Sequence, residues 1–183
     1  MNKNNVIKDF ISIIKKAFME LHVQNKRQIT RIFVHCTASL QEEYTDAKLL
    51  KEFKDKGWKN PGYHYVVRPD GSIFSCLTED KISNGVQGYN SNSLNVAYVG
   101  GITKSNTKGV DNRTENQKTA LLGLLKVLRN KYPTAYIMGH RDVSPDTNNN
   151  GIVDPWERVK QCPCFDAMTE YASLNEGLKQ PKK

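Results

Sequence analysis

Two short β-rich runs that each end in a histidine, ITRIFVH (Ile29–His35) and AYIMGH (Ala135–His140), do most to limit the folds open to this chain. Each is apolar enough to be a buried strand, and segments with helical patterning stand between and after them. DAKLLKEFKDKG predicts a helix, with Thr45 as its N-cap and Gly57 just past its end. A second helix starts at Thr114, where Gln117 three residues on completes a capping box; Leu121, Leu125 and Leu128 share one of its faces. YHYVVRPDGSIFSC reads as a hairpin around Pro69-Asp70-Gly71, and NVAYVGG (Asn95–Gly101) as a further strand. FDAMTEYASL predicts a closing helix. Strands interleaved with helices predict an α/β fold, a sheet with helices on its faces.

At 183 residues the chain is expected to form one domain with a sizeable core. Its net charge of +8 invites a nucleic-acid reading until the charges are located. Lys3, Lys8, Lys15, Lys16, Lys26, Arg27 and Arg31 face only Asp9 and Glu20, and Lys179, Lys182 and Lys183 face only Glu176. The body between is close to neutral, whereas a nucleic-acid groove needs clustered basic residues on the folded surface. No nucleic-acid partner is expected. No apolar run approaches the ~20 residues of a membrane span, so stable membrane insertion is not expected either.

Residues 5–22 show helical spacing, with Ile7, Phe10 or Ile11, Ile14, Phe18 and Leu21 on one face. Asp9, Lys15, Lys16 and Glu20 interrupt this stretch and no small-residue cleavage site follows, so it does not read as a signal peptide. Synthesis in the cytoplasm is the expectation. Residues 1–28 are read as an N-terminal amphipathic extension, 29–174 as the domain, and 175–183 as a basic tail. Cys36, Cys76, Cys162 and Cys164 do not suggest a disulfide scaffold at this length.

Functional groups of α/β folds collect where strands end and side chains leave the sheet. His35 and His140 both stand at such ends, and the CPC of Cys162-Pro163-Cys164 follows the second. Imidazole and thiolate both suit zinc, and three protein ligands leave a fourth position for water. Spacing alone does not choose between the two cysteines. Between His140 and the cysteines, Asp146-Thr147-Asn148-Asn149-Asn150-Gly151 and then Glu157 match a calcium-loop pattern. Asp146, Asn148 and Asn150 would supply side-chain oxygens, Ile152 its carbonyl, Asp154 a direct or water-mediated contact, and Glu157 a bidentate carboxylate. The competing reading is an Asn-rich surface turn that happens to fit.

The segments FVHCTAS, GYHYVVRPDGSI, GYNSNSLNVAYVGG, GHRDVSP and KQCPCF occur in the order found in zinc-dependent N-acetylmuramoyl-L-alanine amidases. From about Arg31 to Ala172 the sequence resembles the bacteriophage endolysin branch of that family, which also includes peptidoglycan recognition proteins. The resemblance implies a mixed β-sheet flanked by helices, with zinc in a surface cleft. It implies His35, His140 and Cys162 as zinc ligands, Tyr63 as the active-site tyrosine and Lys160 as the catalytic lysine. Cys36, Cys164 and His64 are then left with structural roles. The implied substrate is peptidoglycan, cut between N-acetylmuramic acid and L-alanine by a monomeric phage-type lysis enzyme that reaches the wall after release or export. Two alternatives are a non-catalytic peptidoglycan-binding protein on the same fold and a cytoplasmic amidase that recycles muropeptides. Such binding proteins lack a complete ligand triad, and the recycling pattern has an acidic third ligand.

Overall fold

A computed structural model describes residues 27–181. The amphipathic helix expected at 5–22 lies outside them. The two histidine-ending runs become β1 (Arg31–Cys36) and β5 (Tyr136–Gly139), adjacent and parallel. The hairpin forms β2 (Tyr65–Val67) and β3 (Ile73–Ser75), paired antiparallel, and the remaining strand is β4 (Ser93–Tyr98). The order across the sheet is β3-β2-β4-β1-β5, with β4 parallel to both β2 and β1. One antiparallel edge on an otherwise parallel sheet makes it mixed.

The first helix, α1 (Asp46–Asp55), starts where Thr45 Oγ1 accepts the Lys48 N–H at 3.2 Å and stops before Gly57, whose φ of 71° suits a residue without Cβ. The second, α2 (Glu115–Lys131), carries the expected capping box between Thr114 and Gln117. Gln117 does more than cap. Fully buried, it donates from Nε2 to the carbonyls of Val67 and Val99, tying the ends of β2 and β4 to the helix.

Alternation along β1 sorts its side chains to two faces. Ile32, Val34 and Cys36 join Leu94, Val96, Ile137 and the α2 leucines 121, 125 and 128 in the larger core. Burying each of those leucines contributes about 1.5–3 kcal/mol relative to exposure. Phe33 and His35 point the other way, and that face is covered unevenly. Leu49 and Phe53 of α1 pack on Val66, Ala97 and Val99 at one side, while Val86 packs on Phe33 and Met138 at the other. His35 lies in the gap between them.

The closing helix is shorter than FDAMTEYASL predicts. A single turn, α3 (Ala167–Glu170), gives way at Tyr171 to a 3-10 turn at Ala172–Leu174. Tertiary contacts override the helical pattern here. Tyr171 is buried edge-on against Phe165, and Asn175 is drawn in to bond both the N–H and the carbonyl of Ile137 at 2.8 Å. Asn175, expected to begin a tail, thus satisfies the exposed edge of β5. No helix of the described residues is long and apolar enough to cross a membrane.

Candidate metal centre

His35 is 1 % exposed, at the carboxyl end of β1. Its Nε2 lies 2.8 Å from Asn95 Oδ1, and the Asn95 amide nitrogen donates in turn to Ser83 Oγ at 2.8 Å. With the Asn95 oxygen facing it, Nε2 is the ring nitrogen that donates, and Nδ1 presents a lone pair. Register explains the pairing, because Asn95 stands opposite Phe33 and His35 opposite Ala97, which places Asn95 and His35 diagonally on one face.

Two further donors converge on that lone pair. His140 Nδ1 stands 3.2 Å from His35 Nδ1, and Cys162 Sγ stands 3.6 Å from it. Tetrahedral ligands at ordinary metal–nitrogen and metal–sulfur lengths lie about 3.3 Å apart for two nitrogens and about 3.6 Å for nitrogen and sulfur. Both separations from His35 match a tetrahedral cation, and all three donor atoms lie within 4.8 Å of one another. Among the described residues this is the only cluster of three His, Cys, Asp or Glu groups close enough to hold a metal. His140 follows β5 at the start of a 3-10 turn, and the Arg141 N–H donates to the Cys162 carbonyl at 2.8 Å, which joins the segments that carry His140 and Cys162. The Cys36 N–H donates to Cys162 Sγ at 3.3 Å.

Burial pushes His35 down to about 4, against the Asn95 bond and helped by the nearby Lys160 charge. Burial, then repulsion from His35 and Lys160, brings His140 down to about 3. Both imidazoles are neutral near pH 7, as ligation requires.

Tyr63 lies just ahead of β2, its ring 5.2 Å from that of His35 and its hydroxyl donating to the Cys36 carbonyl at 3.3 Å. Burial, followed by the Cys162 and Cys36 sulfurs, raises its phenol well above the usual range, so it remains a neutral O–H. Tyr63, Lys160 and all three clustered residues line one cleft of about 260 Å³. His64 is buried elsewhere on the sheet face. Its Nδ1 accepts the Asn95 N–H at 3.0 Å and its Nε2 reaches the Lys81 carbonyl at 3.1 Å, a tie between β4 and the loop after β3. Cys36 and Cys164 touch at 3.7 Å between sulfurs, against Gly101, and neither belongs to the cluster.

In the Asp146 loop the side-chain oxygens named for calcium are engaged within the loop itself. Asp146 accepts the N–H groups of Asn150 and Gly151, Asn148 Oδ1 accepts that of Asn150, and Asn150 Oδ1 accepts that of Ile152. Asp154 Oδ2 takes the amides of Asn148 and Asn150. Glu157 is buried and takes Thr147 and Asn148 on one oxygen and the Asp154 N–H on the other. These bonds, led by the Thr147 hydroxyl, hold its carboxyl down to about 2. Each of these oxygens serves the loop's own N–H, O–H or amide groups, which gives the calcium expectation no support.

Sequence reasoning gave no task to Asn95 or Gly85. A Cβ on Gly85 would stand 2.3 Å from Asn95 Oδ1, so the glycine makes room for the amide that orients His35. The available signal was an amide inside the apolar run LNVAYV, where a buried polar side chain requires a partner.

Residues 25–163 match the family model of N-acetylmuramoyl-L-alanine amidases. The chain belongs to that family. The endolysin of Enterobacteria phage K11 is 38% identical over 144 residues, 77% of this chain and 85% of that protein. The endolysin of Escherichia phage T7 is 32% identical over 136 residues, 74% of this chain and 80% of its own. Among solved structures, the N-acetylmuramoyl-L-alanine amidase LysC from Clostridium intestinale superposes with a TM-score of 0.62 at 24% identity, covering 81% of this chain and 87% of that one. The last shows a shared fold. This amidase has the mixed sheet of its structural neighbours, with the cleft at the carboxyl ends of β1 and β5.

Proposed function

We propose that this amidase hydrolyses the bond between N-acetylmuramic acid and L-alanine in peptidoglycan using a zinc ion held by His35, His140 and Cys162. The convergence of two neutral imidazoles and one sulfur, all within 4.8 Å of one another, carries the reading. Bound there, zinc supplies Lewis acidity and a water acidified toward neutrality. The rest is done by the chain's own groups. Asn95 fixes the His35 ring, and the Arg141–Cys162 bond keeps the other two ligands in step. Tyr63, a neutral O–H beside His35, orients the attacking water. Lys160, two residues before Cys162 and lining the same cleft, donates to the carbonyl oxygen as negative charge develops on it.

The complete donor set favours an enzyme over a binding protein on the same fold, and the sulfur ligand favours the phage-type branch over a muropeptide-recycling amidase. The working unit runs from about residue 29 through Asn175, which closes the β5 edge, acting as a monomer that is made in the cytoplasm and reaches the wall by release or export. Purified sacculi are the test. Mass spectrometry should find stem peptides with free L-alanine amino groups, and chelation should stop their release. Elemental analysis should find zinc in the wild type and in Cys164→Ala but not in Cys162→Ala. Zinc retained by Cys162→Ala and lost from Cys164→Ala would transfer the ligand role to Cys164.

A further inference from the structure

The cleft around His35, His140 and Cys162 is lined by two ammonium groups and, among the described residues, by no carboxylate. Its extension past His140, about 360 Å³ and lined by Trp58, Gln87, Tyr89 and Ser144 among others, has no carboxylate either. One ammonium is Lys160. The other is Lys56, the C-cap of α1, which the proposed chemistry does not use. Its Nζ sits 5.2 Å from the centre of the Trp58 ring and 5.9 Å from that of Phe53, and those rings stack 5.5 Å apart at 14°. Gly62 permits the arrangement, since a Cβ there would stand 3.0 Å from Phe53 and 3.2 Å from Trp58. Tyr63 packs edge-on against Phe53, so a continuous aromatic wall runs from Lys56 to His35.

The ion pairs that α1 forms are Lys51–Asp55 and Asp46–Arg68, and no carboxylate of the described residues pairs with Lys56. A lysine on open surface samples many rotamers. One seated over two rings is already directed, so less entropy is lost when an anion arrives. The substrate of the proposed reaction supplies that anion, because the stem peptide beyond L-alanine carries free carboxylates.

We propose that Lys56 binds a free carboxylate of the stem peptide and makes the enzyme prefer acidic stems over amidated ones. This rests on the amidase reading above. The two probes are an N-acetylmuramoyl tripeptide with its carboxyls free and the same compound with every carboxyl converted to a primary amide. Wild type should show a kcat/KM roughly three- to tenfold higher for the acid, carried by KM, as befits one charge-assisted contact at a partly exposed site. Lys56→Gln should lose that preference by raising KM for the acid alone, with kcat and the thermal midpoint unchanged, and Lys56→Arg should restore it. An equal fall on both compounds, or no change on the acid, would overturn the proposal. A second arm needs no turnover. NMR titration with the free tripeptide and its amide should show a Lys56-dependent preference for the acid. If wild type cleaves sacculi but neither compound, the titration decides the role of Lys56; if it cleaves neither the compounds nor sacculi, the amidase reading fails and the titration still decides that role.

Discussion

The Asn95 side chain faces two ways, its oxygen toward His35 and its nitrogen toward Ser83, and the direction of each bond depends on the other. Losing it frees the His35 ring to turn and to exchange tautomers. Asn95→Ala should therefore weaken zinc binding roughly 10- to 100-fold, the usual cost of removing an outer partner of a ligating histidine. Gly85→Ala should do the same without touching any ligand, because its Cβ would occupy the space of the Asn95 amide. Competition against a chromophoric chelator measures both, and wild-type affinity in Gly85→Ala would show that the amide can move aside harmlessly. Lys160→Ala and Tyr63→Phe belong to a different class. They should keep stoichiometric zinc and lower turnover on sacculi, Lys160→Ala by about 10²–10³ as for a lost oxyanion donor. Undiminished turnover in Lys160→Ala would remove that residue from the mechanism.

At the scale of elements, Arg113 clamps the loop before α2 to the segment after Cys162. Its guanidinium carbon stands over Phe165, 3.2 Å from the ring centre, and the group bonds Asp111 on one side and Glu170 of α3 on the other. The side chain is 2 % exposed, while the two carboxylates are about one-third exposed at 32% and 38%. Removing the cation leaves two carboxylates close together and a void beside Phe165. Arg113→Ala should cost about 2–3 kcal/mol, below the full penalty for breaking a buried pair because solvent reaches both acids. Urea unfolding measures this. Phe165 follows Cys162 by three residues, so zinc affinity should fall as well. An unchanged unfolding midpoint would mean that the clamp contributes nothing net.

For the whole molecule, three histidines make stability depend on pH. His35 and His64 are lowered to about 4 and His140 to about 3, in each case chiefly by burial. In the unfolded chain each takes up a proton near pH 6.5, while in the folded metal-free protein it stays neutral. The unfolded state therefore binds more protons below pH 6.5. The stability these groups confer is full above that pH and is lost as pH falls from 6.5 toward 4. His64 alone should account for roughly 2 kcal/mol between pH 7 and pH 5. Urea unfolding of metal-free protein across that window measures the total, and His64→Gln should flatten the slope. A slope unchanged by that substitution would show that His64 does not titrate as its burial implies.

Much of the architecture was written locally. Thr45, Gly57 and the Thr114–Gln117 box mark helix ends because capping involves only a few neighbouring residues. Alternation along Arg31–Cys36 puts Cys36 and His35 on opposite faces, again through neighbouring residues alone. The ordered motifs nominated His35, His140, Cys162, Tyr63 and Lys160, and the fold brings all five to one cleft. Folding alone decided the strand order, which sets β1 between β4 and β5 and so puts His140 and Asn95 within reach of His35. It also cut the closing helix short, because Asn175 found the open edge of β5, and it turned the calcium-like loop's oxygens inward to its own N–H and amide groups. A pattern specifies which donors a segment owns. Which partners those donors meet depends on residues far away in sequence, and only the packed sheet brings them together.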